Sequence, residues 1–302
     1  MDSHDLIVIG GGAAGLGAAL YAARFRLNVI ALAKEFGGTG NIAHRVDNWI
    51  GEPGISGFDL MQKFIEHVKQ YDVPMIQAEV TAVSKVDGGF EIVASEKSYR
   101  TKMILFSNGM MHRKLGVPGE EEYAGRGVHY CYTCDGPLYR GKRLAVIGGS
   151  DAAALGTVFL SEYATQVHAV FRRERLTAEP VSVEQVAKLK NVELLAMSNV
   201  AEIIGDGSKV TQLKLDTGRV FDIDGIFIEI GHLPLNKLAL GLGVETDKKG
   251  FIKVNNKQET SVPGVLAAGD ITNATELKQF ITSAAEGSIA AQTAYHTLSR
   301  ER

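Results

Sequence analysis

The sequence has few of the residues that would point to a stapled, secreted or membrane protein. Two cysteines in 302 residues exclude a multi-bridge disulfide scaffold. No apolar run reaches the roughly 18 residues that a membrane span needs. The opening MDSHDLIVIGGG lacks the basic flank and cleavage site of a signal peptide, so the chain is expected in the cytoplasm with no membrane partner. Excess charge is lacking as well. A formal net charge of -3, with both signs mixed along the chain, makes no field that would recruit nucleic acid. Low-complexity segments and short repeats are absent. Proline is scarce at seven, but the 34 glycines cluster at the ends of apolar strands, where they serve close backbone approach rather than linkers.

The length is about twice that of one domain, so two compact units are expected. A β-branched run at Asp5–Ile9, a small-residue helix over Ala13–Phe25 and a strand at Asn28–Leu32 make a βαβ unit. A second unit starts at Arg143 with LAVIGG, continues through an Ala-rich helix at Ala152–Tyr163 and returns as VHAVF ending at Phe171. After the first unit come strand-like stretches at Val80–Val86 and Gly89–Ala94, an antiparallel insert, and a return strand at Met103–Phe106. The layout recurs with Lys209–Leu215 and Asp224–Ile230, and an Ala-rich helix over Leu277–Ser299 closes the chain.

Gly10, Gly12 and Gly15 fit G-x-G-x-x-G between a strand and a helix, the context in which the pattern reads as a dinucleotide site. Gly10 permits the tight turn, Gly12 admits a pyrophosphate, and Gly15 lets helix and strand pack, with the helix N-terminus facing the anion. The acid expected at the end of the second strand is replaced by Ala33, and Glu35 is the nearest candidate for the ribose hydroxyls. The two cysteines form Cys131-Tyr132-Thr133-Cys134. A structural zinc would need two more soft or imidazole ligands, and His129 is the only nearby histidine. Redox chemistry reads better, because a C-x-x-C loop lets two sulfurs alternate between dithiol and disulfide and lowers one thiol pKa. Asp135 can manage a proton beside that pair, and Asp135-Gly136-Pro137 is also turn chemistry; both roles can coexist.

Cys131-Tyr132-Thr133-Cys134-Asp135-Gly136 resembles the active-site signature of the low-molecular-weight thioredoxin reductases. Gly37-Gly38 with Asp47-Asn48-Trp49 resembles their flavin-facing loop, Gly116–Glu120 their interdomain crossing, and Gly264–Asp270 their second flavin motif. The implied fold is α/β, with two Rossmann-like nucleotide-binding domains, the second inserted in the first. Residues 1–115 and 243–302 would form a discontinuous FAD-binding domain, and 116–242 an NAD(P)H-binding domain carrying the cysteine pair. The resemblance implies FAD held by Gly10, Gly12, Ala14 and Gly15, by Glu35, Gly38, Asn48 and Gly109, and by Gly269, Asp270, Lys278, Gln279 and Phe280. Asp270 would accept hydrogen bonds from the ribityl chain, and the closing helix would aim its positive end at the flavin.

In the second unit Gly148, Ser150 and Ala153 take the G-x-G-x-x-A positions, so the middle glycine is a serine that either crowds a pyrophosphate or donates to it. The acidic pair that the family carries further along this helix is replaced by Leu155 and Gly156. Gly148, Gly149, Ser150, Asp151 and Ala152 are expected at the phosphates, with Arg172 and Arg173 gripping a 2'-phosphate, so NADPH is preferred over NADH. The third arginine position is Thr177, with Arg175 as a substitute. Electrons would then pass from NADPH through FAD to the Cys131-Cys134 disulfide, and from Cys131 to a thioredoxin-like partner, with Cys134 the flavin-facing sulfur. The inserted domain would rotate about hinges at Leu115–Pro118 and Leu240–Val244, and the resemblance implies a homodimer. Two alternatives stay open: the same scaffold reduced by ferredoxin or another non-pyridine donor, and a non-catalytic redox-sensing flavoprotein.

Overall fold

The computed structural model describes residues 3–43, 46 and 48–300; Asp47 of the expected flavin-facing loop lies outside them, as does the side chain of Cys134. The chain opens with β1 (Ser3–Gly11), α1 (Ala13–Arg24), β2 (Val29–Phe36), α2 (Gly57–Lys69) and β3 (Met75–Gln77). Next come β4 (Val80–Val86), β5 (Gly89–Ala94), β6 (Lys97–Phe106) and the crossing strand β7 (Met110–His112). The middle of the chain carries β8 (Val128–His129), α3 (Tyr132–Asp135), β9 (Arg143–Ile147), α4 (Asp151–Ser161), β10 (Gln166–Val170), α5 (Pro180–Ala187) and β11 (Val192–Leu195). It continues with β12 (Val200–Gly205), β13 (Val210–Leu215), β14 (Val220–Asp222), β15 (Gly225–Ile228) and β16 (His232–Pro234), and α6 (Lys237–Gly241), β17 (Val265–Ala267) and α7 (Phe280–Arg300) close it.

In the first unit the sheet runs β3-β2-β1-β6-β5-β4, with β17 also on β6. The ten-residue β6 does two jobs: its first half pairs antiparallel with β5, and from Arg100 on it runs parallel beside β1. The expected insert and return strand are thus one continuous strand. Alternation along β1 sends Leu6 and Val8 to the face covered by α1, α2 and α7, and Ile7 and Ile9 to the face shared with Phe90, Ala239 and Ile252. Both faces are covered, which is why the strand reads as an unbroken apolar run.

The second unit holds a parallel sheet, β11-β10-β9-β15-β8, and a small antiparallel sheet, β12-β13-β14. Both units are α/β and each holds a strand–glycine turn–helix, so the fold is two Rossmann-like nucleotide-binding domains, one inserted in the other. Among the described residues no helix is long and apolar enough to cross a membrane.

The division falls at 111/112 and 232/233, with residues through Met111 and from Leu233 in one unit and His112–His232 in the other. Leu115 and Val117 pack on the core of the inserted unit, while Ala239 and Val244 are buried in that of the first. The expected hinge segments Leu115–Pro118 and Leu240–Val244 therefore each sit inside a unit. The closing helix starts at Phe280 instead of Leu277, because the backbone N–H of Gln279 donates to the hydroxyl of Thr282, which itself donates to the carbonyl of Leu277.

Two helix backbones nearly touch in the first unit. A β-carbon at Gly287 of α7 would stand 2.0 Å from the carbonyl oxygen of Ala14 in α1. Overpacking of this kind costs about 1–3 kcal/mol. Gly287→Val is expected to lower the thermal unfolding midpoint by several degrees, and an unchanged midpoint would show that α1 and α7 need no such approach.

Candidate functional site

The turn between β1 and α1 is built for a ligand. Gly10 takes φ +123°, and a β-carbon there would meet the Ser107 carbonyl oxygen at 2.3 Å. One at Gly15 would lie 1.9 Å from the Gly10 carbonyl oxygen, so these two glycines serve packing. At Gly12 nothing lies within 4 Å of the missing β-carbon. Gly12 is also the N-cap of α1 with no side-chain capping bond, whereas α2 caps itself, Ser56 Oγ accepting the N–H of Asp59. The first N–H groups of α1 thus have no side-chain cap at their end of the cleft.

Gly12, Ala14, Gly109, Gly269, Asp270, Lys278, Gln279 and Phe280 all line this cleft. Sequence reasoning missed Thr39, Gly40, Ser107 and Ser283, which line it too; Ser283 donates to Asp270 Oδ1 at 3.1 Å. Gly38 lies beside Gly12, a β-carbon on it being 3.5 Å from the Gly12 α-carbon. Glu35 is exposed at the end of β2 and accepts a bond from Asn41, and Asn48 donates to Gln279 at 2.8 Å. Behind Asp270, buried Glu286 accepts the N–H of Gly269 at 2.7 Å, and burial holds its carboxyl above the usual range. Burial also lowers Lys278, whose ammonium donates to the Thr272 carbonyl. The carboxamide oxygen of Asn108, between cleft residues Ser107 and Gly109, is buried with no hydrogen-bond partner among the described residues.

The inserted unit repeats the turn. Gly148 takes φ +147°, and a β-carbon on it would meet the Glu229 carbonyl oxygen at 2.3 Å. Ser150 caps α4 with angles of -92° and -177°, close to the -81° and -169° of Gly12, and its hydroxyl makes no capping bond. This extended backbone suits any residue, so serine costs no strain there. Thr177 is not a lost arginine left idle: its N–H and hydroxyl both donate to the Gly149 carbonyl, at 2.7 and 3.0 Å. Asp151 accepts the N–H of Glu179 at 2.6 Å, so the segment after the arginines is tied to the turn at two points. Ala152 continues the first turn of α4. Arg172, Arg173 and Arg175 are exposed, and their side chains have no hydrogen bond or ion pair with the described residues.

Cys131 is disulfide-bonded, and Cys134 is the one other cysteine of the sequence. The loop is fixed on both sides. Glu120, 1% exposed, accepts the N–H groups of Leu115 and Gly116 and, at 2.8 Å, the hydroxyl of Tyr130 next to Cys131. On the other side the Tyr132 ring lies where a β-carbon at Gly156 would come within 2.9 Å, so the aromatic inside the cysteine motif accounts for the missing acid on α4. Asp135 Oδ2 stands 3.0 Å from His129 Nδ1, and His129 Nε2 stands 2.7 Å from the Tyr139 hydroxyl. Both nitrogens of the histidine first noted as a zinc candidate are therefore engaged by protein groups.

A profile of the pyridine nucleotide-disulphide oxidoreductase family matches residues 4–290. The chain is 38% identical over 299 residues to the thioredoxin reductase of Listeria monocytogenes, covering 96% of this chain and 92% of that one. Among solved structures it is similar to the Lactococcus lactis thioredoxin reductase, with a TM-score of 0.82, 32% identity and coverage of 98% and 99%. It is likewise similar to the T. acidophilum thioredoxin reductase, with a TM-score of 0.80, 36% identity and 99% of each chain covered.

Glu229 closes β15 beneath the second turn, and burial pushes its carboxyl from 4.5 up to about 8. The folded chain then holds a proton that the unfolded chain releases near 4.5, so stability falls as pH rises through this window and the loss is complete above about 8. Glu229→Gln removes the penalty. Its unfolding midpoint relative to the parent is expected to climb between those two pH values and level off beyond; a constant offset would contradict the assignment.

Proposed function

The chain belongs to the pyridine nucleotide-disulphide oxidoreductase family, and on that premise we propose that it is a thioredoxin reductase that uses FAD and NADPH to reduce a thioredoxin-like protein disulfide. The disulfide-bonded Cys131 in a C-x-x-C-D motif, on a loop seated against the helix of a nucleotide turn, carries this reading. We infer further that it acts in the cytoplasm as a homodimer. An apolar groove on the first unit between α1, α2 and α7, lined by Leu20, Tyr21, Phe64 and Ile281, supports a covered face there.

The first cleft fits FAD. The open direction at Gly12 and the uncapped start of α1 suit a pyrophosphate, and the Asn108 carboxamide oxygen, without a partner among the described residues, can take a donor. Asp270, held by Ser283, suits the hydroxyls of a ribityl chain, and the N-terminal turn of the 21-residue α7 at Phe280 favours negative charge in the cleft. When bound, FAD supplies two-electron transfer between a nicotinamide and a disulfide. In the inserted unit, Ser150 takes the backbone of Gly12, so its hydroxyl follows the direction that is open there and is offered to a phosphate of NADPH. Arg172 and Arg173, without ion partners among the described residues, suit the 2'-phosphate.

At the redox loop, the reduced pair reacts by thiol-disulfide exchange. Cys131 attacks the partner's disulfide, the leaving sulfur takes a proton, and Cys134 then closes on Cys131 and frees the partner as a dithiol. Asp135 accepts the proton of the attacking thiol and returns it to the leaving one. The FAD-binding role of the first unit and the NADPH-binding role of the second follow from these site assignments.

Anaerobic bleaching of the flavin's visible band by NADPH, NADH and reduced ferredoxin, in parallel, tests the reading. NADPH is expected to bleach it fastest. Replacing Arg172 and Arg173 together by alanine removes charge-assisted bonds of about 1.5–3 kcal/mol each and should raise the KM for NADPH at least about tenfold with little change for NADH. Bleaching by ferredoxin alone would overturn the assignment of the donor.

A further inference from the structure

Asp135 is one end of a chain of ionisable groups that closes within the redox loop itself. Its Oδ2 lies 3.0 Å from Nδ1 of His129, and Nε2 of that ring lies 2.7 Å from the Tyr139 hydroxyl. The three residues come from consecutive short elements: β8, α3 and the 3-10 turn Gly136–Tyr139. The imidazole is 8% exposed, stacked on Phe227 at 5.4 Å and edge-on to Tyr139. A ring so enclosed needs a partner at each nitrogen, and here both partners carry exchangeable protons.

We propose that His129 and Tyr139 are positioning residues that, with Asp135, form a reversible proton relay for the disulfide exchange. The inference rests on the assignment of Asp135 as the proton carrier of that exchange. A neutral imidazole has one donor and one acceptor nitrogen. With Asp135 ionised, Nδ1–H donates to its carboxylate and Nε2 accepts the Tyr139 O–H. When water supplies a proton at the Tyr139 oxygen, the Tyr139 O–H passes to Nε2 and Nδ1–H passes to Oδ2, so that Asp135 is protonated with its O–H donating to Nδ1 and Nε2–H donating to the Tyr139 oxygen. The three groups reverse together, and in both states each nitrogen of the buried ring is paired.

The arrangement commits Oδ2 to the ring. In the step served, the attacking thiol gives its proton to Asp135, its sulfur forms a bond to one partner sulfur as the partner's S–S bond breaks, and the departing sulfur takes that proton. Two electrons pass from the dithiol to the partner over the two exchange steps, and no other reductant is needed. The charged and titratable groups around the chain are few: Tyr139 faces Asp135 and Asp224, and Asp224 is itself paired with Arg143. Burial first, and these two carboxylates next, hold the phenol above its usual value, so it remains an O–H at neutral pH.

A leaving thiol of low acidity needs a proton and an acidic one does not, and this separates relay from scaffold. The holoenzyme, reduced beforehand with one equivalent of dithionite, is mixed anaerobically with oxidised glutathione or with an aromatic disulfide, and reoxidation is followed. Asp135→Asn should slow the glutathione reaction about a hundredfold and the aromatic one little. His129→Asn, which keeps a donor for Asp135 but not the link to Tyr139, and Tyr139→Phe should show the same selectivity at about tenfold. If these two variants slow both disulfides alike, or neither, the relay is overturned while a selective Asp135→Asn leaves the proton-carrier reading standing. If Asp135→Asn is itself unselective, that reading falls and the relay with it.

Discussion

A β-carbon at Gly15 would stand 1.9 Å from the carbonyl oxygen of Gly10, and one at Gly148 2.3 Å from that of Glu229. Without these approaches neither α1 nor α4 could begin where it does, with its first N–H groups at the end of a strand. Everything else at the two turns is hung on that geometry. In the first unit α1 then presents Ala14 to α7, and the near contact at Gly287 brings the start of α7 to the cleft, where Ser283 holds Asp270. Glu286, from the same helix, ties down the backbone of Gly269. One backbone contact therefore sets the position of residues that lie more than 250 positions apart in the chain.

Much of this was legible in the sequence because glycine spacing is a direct record of backbone approach. The turns at Gly10–Gly15 and Gly148–Ala153 and the strands that precede them follow from it, whereas most of the cleft lining was implied by the family resemblance. The acid substitute Glu35 was found by position alone, and it sits at the end of β2, exposed, bonded to Asn41. What escaped was of a different kind. Ser107 and Thr39 carry no motif, since a hydroxyl lining a cleft looks like any other hydroxyl in sequence. α2 escaped although Ser56 and Asp59 form its cap and Leu60, Met61, Ile65 and Val68 make a regular apolar stripe. The division at 111/112 and 232/233 falls four and ten residues ahead of the expected 115/116 and 242/243, since Leu115, Val117 and Ala239 read as loop or helix end and only packing shows which core each one joins.

The departures from the expected pattern in the inserted unit are not independent losses. Ser150 occupies backbone that accepts a side chain without strain, and Thr177 is tied twice to the carbonyl of Gly149. The redox loop is fixed by Glu120 through Tyr130 on one side and by Tyr132 on α4 on the other. His129, the one histidine near the cysteines, was readable as a neighbour of the motif but not as a partner of Asp135, because their pairing depends on the helical turn at Tyr132–Asp135 bending the chain back on β8.

The packing of Tyr132 over Gly156 also constrains history. A ring and a side chain compete for one volume, so a lineage with a small residue at the second position of the motif is free to carry an acid at 156, and a lineage with tyrosine there is not. Passing from one state to the other requires the glycine to arrive before the tyrosine, and returning requires the tyrosine to leave before the glycine. The order of substitutions, and not just their sum, is written into the loop that carries the cysteines.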